Sequence, residues 1–184
     1  MRRSALPAIL VAALAAVLLT AASLAALALI APRAGAPAGA ARACSAPALP
    51  GTTVRVTEAD RGGGMMGSPR MRHAMRLSPD RTSVPHGTVS FVVTNLGSVP
   101  HELVVLPLPE GQAVGARALN ADGTADETGS LGEASASCEA GPGEGIAPGA
   151  VSWATLDLPA GHYELVCNFP GHYLSGMFAE LTVT

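Results

Sequence analysis

Lysine is absent from the 184 residues: all eleven cations are arginine, set against fourteen Asp and Glu for a formal net charge of −3. A chain of that balance lacks the basic footprint that nucleic-acid binding needs, which excludes nucleic acid as the expected partner. Aromatic residues are scarce, with one Trp, two Tyr and three Phe, and charge is low at 14%. Three cysteines are too few for a disulfide-built scaffold, and the odd count leaves one thiol to account for. No long 3.6-residue periodicity occurs in the body of the chain, so a helical bundle is excluded. What is abundant is Gly, 21, and Pro, 15, which favour turns and short strands. The length leaves room for one ordinary domain and a leader, and excludes a large multidomain enzyme.

The first 31 residues carry much of the apolar excess. From Ala5 to Ala31 there is no charge, behind the basic flank of Arg2 and Arg3. That length suits a hydrophobic helix retained as a membrane anchor. The many alanines, and small-x-small sites at Ala34-Gly35-Ala36 and Ala41-Arg42-Ala43, suit a cleaved signal peptide instead. Either reading exports the remainder, to the outer face of the cytoplasmic membrane, the periplasm or the cell surface; lipidation at Cys44 is a third option. Residues 32–51, rich in Pro, Gly and Ala, read as a tether, and residues 52–184 as the folded domain.

Within that domain, Thr53–Thr57, Thr88–Asn95, His101–Leu106, Ala150–Leu158, Gly161–Asn168 and Met177–Thr184 have the β-branched or alternating pattern of strands, punctuated by Gly and Pro. They predict an all-β protein, an antiparallel Greek-key sandwich. A polar stretch at about 107–149 is expected to leave the sandwich as a long loop, with a short helix near 130–137. Charge is uneven: positions 52–81 hold six Arg and three acids, whereas 102–184 hold eleven acids and only Arg117. This is either a solvated surface or a field that steers a basic partner.

The chemistry concentrates in Cys167-Asn168-Phe169-Pro170-Gly171-His172-Tyr173-Leu174-Ser175-Gly176-Met177, where Cys, His and Met recur with four residues between each pair. A strand ends at Cys167, Pro170-Gly171 turns the chain, and Met177 starts the next strand, so one loop offers three side chains to a common point. Thiolate, imidazole and thioether are soft or borderline ligands that select copper over hard cations. A His2Cys site with a weak axial Met needs a second histidine from elsewhere, and His101, opening a strand after the Asn95–Pro100 turn, is the best placed. Singly, each residue has a plainer explanation: Cys167 as a small buried hydrophobe, His172 as a turn residue, Met177 as core. Their joint spacing argues for the site.

The Cys-x4-His-x4-Met loop resembles that of the cupredoxins, the small blue copper proteins, and within them the sulfocyanin, rusticyanin and auracyanin-like group; Val99-Pro100-His101-Glu102 is similar to the sulfocyanin-like members. The resemblance implies a cupredoxin fold over most of 52–184 and one mononuclear type 1 copper ion held by His101, Cys167, His172 and Met177. Many cupredoxins place Asn after the first histidine to brace the loop. Here it is Glu102, leaving Asn95 and Asn168 as candidate braces. Backbone N–H groups are expected on the Cys167 sulfur, limited in number by Pro170, with Phe169, Leu174 and Phe178 supplying apolar surroundings. His172 is expected at the surface as the electron port and His101 more enclosed.

The function expected is single-electron transfer by a membrane-tethered monomer serving redox partner proteins. The alternative is a copper carrier or storage protein delivering Cu(I). An enzyme is not expected: four protein ligands leave no open position, the chain has no His-x-His or His-Cys-His element, and a dinuclear copper centre would want cysteine where Gly171 stands. Met71, His73 and Met75 alternate with arginines, as in a half-buried strand; with Met65 and Met66 they offer an auxiliary Cu(I) site. His86 and His162 read as surface residues. With Cys167 on copper, Cys44 and Cys138 are left to pair with each other outside the cytoplasm.

Overall fold

The computed structural model describes residues 44–60 and 75–184. The expected anchor at 1–31, the first part of the tether, and Met65, Met66, Met71 and His73 lie outside the described residues. Among the described residues no helix is long and apolar enough to cross a membrane.

Nine strands occur in the order β1 Thr52–Ala59, β2 Arg76–Pro79, β3 Ser83–Val84, β4 Gly87–Asn95, β5 Leu103–Pro107, β6 Gly132–Ala134, β7 Val151–Leu158, β8 Gly161–Val166 and β9 Phe178–Val183. They form one sheet ordered β2-β1-β4-β7 and a second ordered β3-β9-β8-β5-β6. The period-2 patterning explains the layering: Val54 and Val56 of β1 and Val89, Phe91 and Val93 of β4 are buried, while Arg55 and Thr88 face outward. These side chains meet Leu103, Val105, Leu165, Leu181 and Val183 of the other sheet in the main core. At roughly 1.5–3 kcal/mol per fully buried Val, Leu or Phe, this packing is the principal source of stability.

Both sheets are mixed, which corrects the expectation of a purely antiparallel sandwich. β1 runs parallel to β4, and β3 parallel to β9. The reason is topological: after β2 the chain crosses to the second sheet at β3, then returns to the first as β4, beside β1 and in the same direction.

β5 and β8 depart from alternation, with four consecutive buried residues each at Leu103–Leu106 and Tyr163–Val166. Their outer face is covered too, which removes the polar half of the pattern. A second cluster of Val104, Leu106, Val166 and Tyr173, with Leu119 and Phe178, lies on that outer face. Leu119 belongs to the excursion between β5 and β7. The helix expected near 130–137 is instead β6, paired with β5 through Leu103 and Ala134. Gly129 and Gly132 have φ of 85° and 148°, outside the helical region, so the chain there extends.

Residues 44–51, grouped by composition with the tether, lie against the domain. Cys44 is disulfide-bonded to Cys138 of the excursion, and Ser90 Oγ donates to the Pro50 carbonyl at 2.7 Å. The disulfide excludes lipidation of Cys44 in this form of the protein.

Candidate metal centre

One end of the sandwich gathers the chemistry, because β4 ends there at Asn95, β5 begins just after His101, β8 ends just before Cys167, and β9 begins just after Met177. Cys167 Sγ lies 3.3 Å from His172 Nδ1 and 3.9 Å from His101 Nδ1, and the two Nδ1 atoms are 3.3 Å apart. Among the described residues these three form the one cluster of His, Cys, Asp and Glu placed to hold a metal ion. His101 and Cys167 are fully buried; His172 is half-buried, in agreement with the expected division between an enclosed and an outward histidine.

Met177 is also fully buried. Its backbone joins the other two members of the loop: Cys167 N–H donates to its carbonyl at 3.0 Å, and its own N–H donates to the His172 carbonyl at 3.2 Å. The Cys-x4-His-x4-Met spacing thus closes into a compact ring of turns, tightened by Ser175 Oγ donating to the Gly171 carbonyl.

The electrostatics leave every donor in its neutral form. Burial, together with the neighbouring His172, holds the His101 imidazole down at about 4, against the pull of Asp60. Burial also lowers His172. The Cys167 thiol is pushed far up, first by burial and then by the Glu58 carboxyl; the backbone N–H groups of Glu102 and Phe169 act in the opposite direction, favouring the thiolate. Two unprotonated imidazoles and one thiol, crowded together with their nitrogens facing one another, are ready to exchange the sulfur proton for a cation. The donor set is soft to borderline, without a carboxylate, and suits copper. The residues present fit the group that the sequence implies.

Several contacts brace the centre. Asn95, fully buried, donates from Nδ2 to the carbonyls of Val99 and Ile146 and accepts from Gly97 N–H, fixing the turn that delivers His101. His101 and Ile146 exchange backbone hydrogen bonds. Asn168 accepts from Ala125 N–H and donates to Ala125 O and to Glu127. Both asparagines weighed from the sequence therefore brace the site, Asn95 through the turn before His101 and Asn168 through Ala125 and Glu127. Glu102 takes part as well: its carboxylate accepts Asn168 N–H at 3.2 Å, and burial, with Glu133 and Glu127 nearby, raises it to about 7.

Phe169 packs on His172 with ring centroids 5.6 Å apart, and Phe178 on Tyr173 at 5.2 Å. Leu174 departs from the expectation of an apolar wall around the site: it is 69% exposed, because the turn at His172–Gly176 directs it outward while Tyr173 takes the inward position. His86 and His162 are exposed, bonded to Thr184 O and Glu180.

Sequence reasoning missed three features. Asp60 binds both the N–H and the hydroxyl of Ser98, beside His101, whose Nε2 is 4.0 Å from Asp60 Oδ1. Nothing local joins residues 38 apart. Glu58 is fully buried with neither carboxylate oxygen hydrogen-bonded; its signal was the alternation Val54-x-Val56-x-Glu58, which puts it inward. Arg117, Glu164 and Tyr173 form a buried network.

A family model described as "Sulfocyanin (SoxE) domain" matches residues 81–184. The structure is similar to auracyanin from Roseiflexus castenholzii at 23% identity and TM-score 0.47, covering 73% of this chain and 98% of that one. It is similar to auracyanin A from Chloroflexus aurantiacus at 21% and 0.41, covering 72% and 99%. For rusticyanin from Thiobacillus ferrooxidans the values are 22% and 0.40, covering 73% and 79%. No curated protein matches the chain.

Proposed function

The chain belongs to the sulfocyanin (SoxE) domain family and is an electron-transfer copper protein of cupredoxin type; on that premise we propose that it works outside the cytoplasm, tethered to the membrane by its N-terminal segment, as a one-electron carrier between redox partner proteins. Its cofactor is one type 1 copper ion, which supplies a one-electron couple when bound. The observation that carries the reading is the convergence of Cys167 Sγ with the Nδ1 atoms of His101 and His172 at 3.3–3.9 Å.

In this reading His101, Cys167 and His172 would hold the metal, and Met177 would add a weaker thioether ligand. The chain's own contribution is to keep the donors from moving. His101 is fixed by Asn95 and Ile146, and Cys167 by the two backbone donors and the strand behind it. A site fixed in place rearranges little between oxidation states, which makes transfer fast. His172 reaches the surface and is the electron port. With four protein ligands no position is left for a substrate, so we propose no turnover chemistry. Export is supported by the Cys44–Cys138 disulfide, since such bonds persist in oxidising compartments; the uncharged run from Ala5 to Ala31 supports the tether.

Adding Cu(II) to the metal-free protein should give an intense visible absorption that Cys167→Ser abolishes and Met177→Leu retains, with a higher reduction potential in the latter. Colour surviving Cys167→Ser refutes the assignment. Reversible one-electron cycling with the metal retained is expected; surrender of Cu(I) to a chelator on reduction would instead mark a copper carrier.

A further inference from the structure

Between Cys167 and Met177 only two other side chains are buried, Asn168 and Tyr173. Both are held by the long excursion that leaves the sandwich after β5, Asn168 through Ala125 and Glu127 as described above. Tyr173, next to the port histidine and 2% exposed, inserts its hydroxyl between a carboxylate and a main-chain amide: it donates to Glu164 Oε1 at 2.8 Å and accepts the backbone N–H of Arg117 at 3.1 Å. Glu164, fully buried on β8, also accepts Gly115 N–H at 2.7 Å and an ion pair from Arg117 Nε. The guanidinium reaches on to the Pro107 carbonyl at the end of β5. Arg117 is the single cation between positions 102 and 184, and it is spent on this contact rather than on the surface.

We propose that Tyr173, Glu164 and Arg117 are positioning residues for electron transfer, through which the excursion holds the His172 side of the metal-binding loop in place. The inference rests on the electron-carrier reading. The remaining bonds of the His172–Met177 segment are mostly turns within the loop itself, together with the Met177 carbonyl and Cys167 N–H. Such turns set the loop's internal shape without fixing its outer part to the sandwich. A charge-assisted bond from Tyr173 to a buried carboxylate does fix it.

The test uses Tyr173→Phe, which keeps the ring, its contact with Phe178 and the Glu164–Arg117 pair, and Leu106→Val as a cavity control in the same apolar cluster. In the metal-free protein, amide hydrogen exchange should speed up by at least about tenfold at His172–Met177 in Tyr173→Phe, with β8 and β9 unchanged. Leu106→Val should lower global stability without that selective effect. In the copper-loaded protein, Tyr173→Phe should raise the reduction potential, because Cu(I) tolerates a loosened ligand better than Cu(II), and should slow electron self-exchange several-fold. Loop exchange and potential both matching the Leu106→Val control would overturn the proposal while leaving the copper reading intact. Failure of the wild-type protein to take up copper as a coloured Cu(II) site would overturn the reading itself, independently of the exchange result.

Discussion

Glu58 offers the sharpest quantitative test of the fold around the metal centre. It occupies an inward position at the end of β1, fully buried, and neither oxygen has a hydrogen-bond partner. Burial raises its carboxyl well above the ordinary range, and the nearby Glu102 carboxyl adds to the shift. An acid whose folded pKa exceeds its unfolded one makes the folded state hold more protons than the unfolded state between the two values. Stability therefore falls as pH rises through that window, by about 1.4 kcal/mol per pH unit for one group, and levels off once the buried carboxyl ionises. The metal-free wild type will not show this slope alone. The lowered His101 and His172 act oppositely: below about pH 6.5 the unfolded imidazoles bind protons that the folded ones refuse, so stability there rises with pH. Glu102, raised to about 7, adds a falling contribution. Comparison with Glu58→Gln cancels most of these and isolates one group. Denaturant unfolding of both metal-free proteins from pH 4.5 to 8 should show the wild type losing stability relative to Glu58→Gln by about 1.4 kcal/mol per unit, before a plateau. Parallel pH profiles for the two proteins would refute the burial of an unpartnered carboxyl at this position. Glu58 is not proposed as a ligand, so the variant should keep the blue colour.

Two further perturbations probe the scaffold. Replacing Cys44 and Cys138 by alanine opens a covalent loop spanning 94 positions, which should cost roughly 4–5 kcal/mol by the chain-entropy relation; calorimetry should find a melting temperature lower by about 15 °C, with the Cu(II) spectrum unchanged. Gly97→Ala would place a methyl group 2.2 Å from Asp60 Oδ1 and 2.7 Å from His101 Nε2. Asp60 can swing, but the buried imidazole cannot, so a loss of about 1–3 kcal/mol should come with an altered Cu(II) spectrum; an unchanged spectrum would show that His101 is not held against this turn.

Legibility followed the range of the interactions. The loop from Cys167 to Met177 could be read directly, since Cys, His and Met recur at equal spacing within eleven consecutive residues. His101 was legible for a weaker reason, its place at a strand start after a turn. The longer strands were legible because burial on one face imposes a period of two on Val54, Val56, Val89, Phe91 and Val93. β3 and β6 were not, because strands of two and three residues carry too little pattern to show a period.

By itself, then, the sequence determined the class of fold and pointed to the two histidines and the cysteine that converge, His101, Cys167 and His172: alternation and spacing are local properties, set by backbone geometry and ligand chemistry. Only the tertiary structure decided that the sheets are mixed, that Nδ1 rather than Nε2 faces the sulfur, and that Leu174 is outside and Tyr173 inside. It alone placed Leu119 of the 107–149 excursion against Val104 and Leu106 of β5 and Val166 of β8. Those outcomes depend on contacts between residues dozens of positions apart, Asp60 with Ser98, Arg117 with Glu164, Asn168 with Ala125. Such contacts form only after the chain has collapsed and each buried polar group has had to find a partner.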